Sequence, residues 1–542
     1  MKTFTQLAGF LTLLIFNGTL LIAQPAMIKD IRNGGTGSEF SGLVDVNGVG
    51  YFAADDGGFG IELWKTNGTT NGTVMVKDIN QGINSSRPEQ LVNVNGVLYF
   101  TADDSEHGVE LWKSDGTEAG TVMVKDINEL DASDFLAAKG PTYLRAMSSY
   151  LVFTADDGVN GREVWRSNGT DVGTVMIKDI NTTAATGSAP SGLTRLGSTF
   201  FFTASDGASG TELWKSDGTD AGTTLVKDIF SGVTSSNPFF LATVNFTLYF
   251  TASGGPSTGY ELWKTDGTSA GTLLVKDINP GAGSGGPAYM VNGGAGIVYF
   301  IANDGTNGVE LWKSDGTDGG TMMIKDINTS PATGSTPFNL KLIGSEIYFR
   351  ANDGTNGVEL WKTNGTAAGT AMIKDINPSG DSNPSYFILS DGTVYFTADD
   401  GTNGFELWQT DGTSSGTAIV ANINPTGSSS PNFLTNVNNV LLFTADDGTN
   451  GVELWTINGS LITSNQFTSN ELTKQVMPNP TAGEVTITGV KQTETLMIYN
   501  SVGTLINTYH GQETVSVDLS AQSNGVYIVR SSEGGFLKIV KQ

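Results

Sequence analysis

Residues 91–128 read LVNVNGVLYFTADDSEHGVELWKSDGTEAGTVMVKDIN. Two apolar runs, Leu91–Val94 and Val97–Ala102, flank Asn95-Gly96. Asn-Gly between apolar runs is a strong hairpin signal, because both residues tolerate the positive φ that a tight turn needs. The second run is apolar on both faces and reads as a buried strand. After the ADDSEHG loop, Val109–Lys113 reads as a third strand. Asp115-Gly116 then opens DGTEAGT, and Val122–Ile127 is the fourth. Four short strands joined by tight turns make one blade of a β-propeller.

The unit recurs along the chain. All nine tryptophans share one context: Trp64, Trp112, Trp165, Trp214, Trp263, Trp312, Trp361, Trp408 and Trp455 each follow Glu-Leu, or Glu-Val at Trp165. We therefore expect an all-β chain, with a propeller of about nine four-stranded blades over residues 24–456 and a small β-sandwich at the C-terminus. Nine lies just above the usual four to eight blades.

The ends of the array argue for a closed ring. The ninth unit stops after ELWTING, without its own copy of the VMVKDIN strand. A spare copy, Ala26-Met27-Ile28-Lys29-Asp30-Ile31, stands near the N-terminus. Pairing residues 26–31 into the blade of Trp455 hides two open edges. The competing source of that strand is Leu461–Phe467.

The nine copies of E[LV]W followed by xx[DN]G resemble the ELWxxDGT repeat proteins, a family that brings no established activity with it. Departures are Asn in place of Asp at Asn67, Asn168, Asn364 and Asn458, and Ser460 in place of Thr.

The flanking segments differ. Lys2 and the apolar stretch Leu7–Ala23 read as a signal peptide, residues 1–23, with Gln24 as the mature N-terminus; a membrane anchor is the alternative. Polar residues 457–472 read as a linker. Residues 473–542 alternate Val, Ile, Tyr and Leu between Gly-containing breaks, which reads as six or seven strands. Pro478-Asn479-Pro480, Gly483, Gly503, Gly525-Val526-Tyr527 and the terminal stretch through Lys541 resemble the type A sorting domain of the bacterial type IX secretion system. The resemblance implies export across the outer membrane, the secretion machinery as a partner, and a secreted or surface location.

The composition bounds the chemistry. The net charge of -26 disfavours nucleic acid and anionic membrane surfaces as partners. No stretch of the expected mature chain is a transmembrane span. There is no cysteine, and His107 and His510 are the two histidines. Thiol chemistry and a His-rich zinc site are therefore excluded.

Three sets of repeated polar residues remain. A Trp ring could stack on glycans, but a position filled alike in nine blades reads first as inter-blade packing, with Glu met by neighbouring donors. The lysines of strand four, from Lys29 to Lys374, read as a solvated edge that discourages aggregation, or as links between strands or blades. The acid pairs Asp55-Asp56, Asp103-Asp104, Asp156-Asp157, Asp399-Asp400 and Asp446-Asp447 suit turns through bonds to their own backbone, with calcium as the alternative ligand. Apart from calcium, no cofactor is expected.

No catalytic constellation is visible. The longer third unit, with Asp131, Asp134, Lys139 and Arg145, is the place for a unique site. The expected function is a surface binding or adhesion module for glycan or protein. The alternatives are a secreted carbohydrate-active enzyme using Asp or Glu carboxylates, and a structural envelope protein.

Overall fold

The computed structural model describes residues 24–129, 140–183, 186–330 and 333–458, then 476–477, 481, 483–488, 490, 495–500, 505–510, 514–531 and 536–541. The expected signal peptide, Asp131, Asp134, Lys139, residues 459–472, Pro478, Asn479, Pro480 and Gly503 lie outside the described residues. Every regular element described is a β-strand. The chain divides into two compact units, Met1–Gly459 and Ser460–Gln542.

The first unit is a propeller of nine four-stranded antiparallel blades. Strands are named a to d within each blade. In blade two they are a, Glu89–Val94; b, Val97–Asp103; c, Val109–Ser114; and d, Val122–Lys125. Strand d ends before the expected Ile127, because the Asp-Ile-Asn that follows turns away to begin the linker to the next blade. The a strands of consecutive blades adjoin one another, and those of blades nine and one adjoin in turn. They therefore form the inner wall of a closed ring.

Blade nine is completed from the other end of the chain. Gln24–Lys29 pairs antiparallel with strand c, Val452–Asn458, setting Met27 opposite Trp455. The strand is Gln24–Lys29 rather than 26–31, since Ile31 N–H donates instead to Glu453 at 3.0 Å. Strand c runs on to Asn458, past the expected end of the propeller at 456.

Every c–d pair carries the same bulge. In blade two, Leu111 faces Lys125 while Trp112 faces Met123, leaving Val124 as the extra residue. The bulge residue is buried throughout, from Ile28 at 2% exposed to Ile373 at 8%. Its side chain joins the core of the following blade. Val76, Leu63 and Tyr51 of blade one pack with Phe100, Ala102 and Trp112 of blade two. Each Trp is thus an inter-blade wedge, and each interface has its own apolar cluster.

The strand-d lysines reach across those interfaces. Lys29 Nζ donates to Thr73 O at 2.8 Å and lies 5.4 Å from the Trp64 ring centre; Lys77 repeats the pattern with Thr121 and Trp112. The solvated-edge reading of these lysines gives way to inter-blade ties, because the bulge sets the stem over the next blade's tryptophan.

Among its described residues the second unit holds seven strands in two sheets. Val485, Ile487, Val515 and Val517 of one sheet share a core with Leu496, Ile498, Val529 and Ile539 of the other.

Candidate functional site

Most repeated polar groups are occupied within the scaffold. The Glu of each ELW triplet is at most 2% exposed. Glu62 accepts hydrogen bonds from Ile79 N–H at 2.8 Å, Ser86 N–H at 2.9 Å and Ser86 Oγ at 2.6 Å. Ser86 O in turn accepts from Asp103 N–H, at the end of strand b of blade two. The carboxylate therefore clasps the inter-blade linker to its own blade. Serines 188, 236, 335, 382 and 429 serve equivalent clasps, and Gly285 serves one through its N–H. Burial pushes the Glu62, Glu261 and Glu453 carboxyls up to about 7, against the pull of their donors. Glu110, which accepts from Asn128 N–H at 3.3 Å, is pushed by burial to about 8.

The acid-pair loops are built from Asx turns. Asp399 Oδ1 accepts from Gly401 N–H; Asp400 Oδ1 accepts from Thr402 and Asn403 N–H, and its Oδ2 from Asn403 Nδ2. Asp156, Asp157, Asp446 and Asp447 repeat the arrangement. At Asp103 and Asp104 the third partner is His107, whose Nδ1 lies 2.8 Å from Asp104 Oδ2. Among the described residues no three Asp, Glu or His side chains converge to hold a metal. A calcium ion in these loops would have to replace turn hydrogen bonds already made.

The start of strand a, by contrast, holds a position that varies widely in residue type. Each a strand carries a bulge after its first residue: Glu89 faces Thr101, whereas Val92 faces Tyr99. The second residue has positive φ in all nine blades: Gly42, Gln90, Tyr143, Gly192, Phe240, Tyr289, Asn339, Tyr386 and Phe433. This is the residue type that varies, and five of the nine are aromatic. Bulges re-aim side chains and gather at barrel rims and functional sites. The start of strand a lies beside the inter-blade linkers, so the nine residues ring the mouth of the central channel on the linker side.

The mouth is uneven. Between blades nine, one and two, where glycine stands at 42, a cavity of about 480 Å³ is lined by Ser41, Gly42, Glu89, Gln90 and Phe433 among others. Phe433 leans on Phe40, which stacks on Phe52 at 4.5 Å. Across blades five to seven aromatic rings instead form a continuous arc. Sequence reasoning missed this ring. Comparing the nine units position by position would have found it, two residues after a Pro in eight of the nine, such as Pro88, Pro238 and Pro384, and after Phe40 in the other.

In the second unit, Gly525 opens the strand Gly525–Ser531, Tyr527 Oη donates to Ser523 O at 2.5 Å, and the mostly buried Lys541 donates to Ser520 O at 3.0 Å and to Gln522 O. These bonds tie the last strand to the preceding turn.

Residues 475–542 match the secretion system C-terminal sorting domain. The chain thus carries a type IX secretion sorting tail, which implies export to the surface or medium and engagement with that machinery. No curated protein matches the chain. Among solved structures, PorZ, an essential surface component of the type IX secretion system of Porphyromonas gingivalis, is similar at 12% identity and TM-score 0.35, over 93% of this chain and 75% of that one. A puromycin hydrolase is similar at 11% identity and TM-score 0.36, over 67% of this chain and 59% of that one. The propeller domain of the Trilobed protease of Pyrococcus furiosus is similar at 12% identity and TM-score 0.31, over 62% and 97%. At such TM-scores these likenesses carry no argument about activity. Among the described residues no helix is long and apolar enough to cross a membrane.

Proposed function

We propose that this chain is a cell-surface binding or adhesion module of the ELWxxDGT repeat kind, taking a glycan or protein ligand at the mouth of its ring. One observation carries the reading. Glu and Trp do the same structural job in all nine blades, and Lys and the loop acids in most of them, whereas the bulge residue at the mouth changes from blade to blade. A scaffold needs uniform joints; a recognition surface needs differing side chains at fixed positions. The sorting tail supplies the route to the surface.

The rival reading is a secreted carbohydrate-active enzyme. It needs two carboxylates flanking one bond, with one pKa raised. The raised carboxyls here are the ELW glutamates, and linker amides and serines already hold them. Purified full-length chain, incubated with a glycan array and with a panel of chromogenic glycosides, tests the assignment. Binding without turnover supports a module. Turnover abolished by one Asp or Glu substitution overturns it, and neither binding nor turnover favours a structural envelope protein.

A further inference from the structure

An arc of aromatic rings in tilted and edge-on contact runs along the mouth over blades five, six and seven. It begins at Tyr260, on strand c of blade five, whose ring centre is 5.4 Å from that of Phe239. Phe239 meets Phe240 at 5.1 Å, Phe240 meets Tyr289 of blade six at 5.1 Å, and Tyr289 meets Phe338 of blade seven at 4.5 Å. The Arg350 guanidinium covers Phe338 at 5.0 Å, and Asp381 acts on its charge through space. Phe239, Phe240 and Tyr289 are 38%, 38% and 42% exposed.

Packing does not account for this arc. Phe240 and Tyr289 both sit at φ 52°, where a bulky side chain is strained and glycine is not. Gly42 and Gly192 fill the same slot in blades one and four. The fold therefore accepts glycine there, yet blades five and six hold large, half-exposed rings in an unfavourable backbone conformation. Strain retained for exposed aromatic faces points to a ligand.

The chemistry around the rings says which kind. Asn237 Nδ2 lies 3.3 Å from Tyr260 Oη, Asn383 Oδ1 accepts from Arg350 at 3.4 Å, and Asn339 Nδ2 donates to Ser385 Oγ at 3.0 Å. Planar amides and a guanidinium thus fringe a run of ring faces. Ring faces pack against the C–H faces of a pyranose while amides bond its hydroxyls. The charge is equally selective. In blades five to seven the first two residues of strand a and the residue two before it are Asn237, Phe239, Phe240, Gly286, Ala288, Tyr289, Thr336, Phe338 and Asn339, none of them acidic. In blades one and two the same positions include Glu39 and Glu89. On a chain of net charge -26, a second copy or an anionic polymer is repelled, whereas an uncharged ligand finds a neutral patch.

We propose that the arc Tyr260–Phe239–Phe240–Tyr289–Phe338 is a binding site for a neutral polysaccharide chain lying across the mouth of the ring. This rests on the reading of the chain as a binding module and gives that module a ligand class and an address.

The test is affinity electrophoresis of the full-length chain in gels containing soluble β-glucan, mannan or xylan, with alginate as the anionic comparison. The expected result is retardation by at least one neutral glycan and none by alginate. Phe240→Ala and Tyr289→Ala should each weaken it by about tenfold or more, as for a hot-spot aromatic. Tyr289→Trp should keep it. Phe246→Ala, an exposed aromatic at the a–b turn of blade five and away from the mouth, should leave it unchanged. Thermal melting checks that each variant folds. Retardation undiminished in Phe240→Ala and Tyr289→Ala overturns the site while leaving a glycan-binding module standing. Retardation by alginate alone, or by no glycan, overturns the proposal. If a protein partner is then captured through the mouth, the binding-module reading still stands. Self-association that Phe240→Ala abolishes would also overturn it, in favour of a second copy as the occupant.

Discussion

Glu62→Ala is the sharpest perturbation of the scaffold. The carboxylate accepts from two buried backbone donors, Ile79 N–H and Ser86 N–H, and from Ser86 Oγ. The hydroxyl has a second acceptor, Ile61 O at 3.4 Å, so its loss is partly recovered. The two amides have no such recourse. At about 1–3 kcal/mol for each buried donor left unpaired, the variant should lose roughly 2–6 kcal/mol. The same site sets a pH dependence. Burial raises the Glu62 carboxyl from the usual carboxylate range to about 7. A carboxyl whose pKa is higher in the folded than in the unfolded chain binds its proton more tightly when folded. Its contribution is complete below the unfolded pKa and is lost as pH rises through about 7. When protonated, the carboxyl donates to Ser86 Oγ and the hydroxyl turns to Ile61 O. All nine glutamates are raised, so their effects add in the same direction. Urea unfolding of the full-length chain should show the propeller transition more stable at pH 5.5 than at pH 8. Glu62→Gln should narrow that difference. A propeller indifferent to Glu62→Ala, or more stable at pH 8 than at 5.5, would refute the clasp.

A deletion and a substitution probe the joints between blades. Deleting residues 25–31 removes the strand that completes blade nine, with Ile28 and the Lys29 tie to Thr73, and should cause marked loss of stability or aggregation in light scattering; an unchanged melt would mean that the ring does not depend on this pairing. Trp312→Ala empties a cluster shared by Val244, Leu262 and Val275 of blade five and Val298 and Phe300 of blade six, and should cost about 3–5 kcal/mol by chemical denaturation.

The blade was legible because its signals are local. Asn95-Gly96 forms the a–b hairpin, and the alternation around Glu110-Leu111-Trp112 sets the c strand. The spare strand at residues 26–31 was legible because the chain could be compared with itself. The clasp was half legible. The buried Glu implied donors, but not that Ser86, twenty-odd residues on, would be the partner, since linker folding brings it there. The lysines misled because a charge on an outer strand normally faces water; the bulge at Val124 and its counterparts redirects them. The mouth was hidden for a different reason. Its positive φ is a property of the inner-strand bulge, and residues such as Gln90, Tyr143 and Phe240 carry none of the Gly or Asn signature by which such a conformation is normally recognised.

The most direct test of a ring delivered to the surface to bind sugar is made on intact cells. Isogenic strains expressing the full-length chain, the chain without residues 475–542, and the full-length Phe240→Ala, Tyr289→Ala double variant would be compared for adhesion to the immobilised neutral glycan that retards the purified protein. Surface exposure would be scored in the same cells by protease shaving. The account predicts adhesion by the first strain alone, with the double variant displayed but non-adherent and the truncated chain absent from the surface. Equal adhesion by all three strains, or full display without residues 475–542, would contradict it.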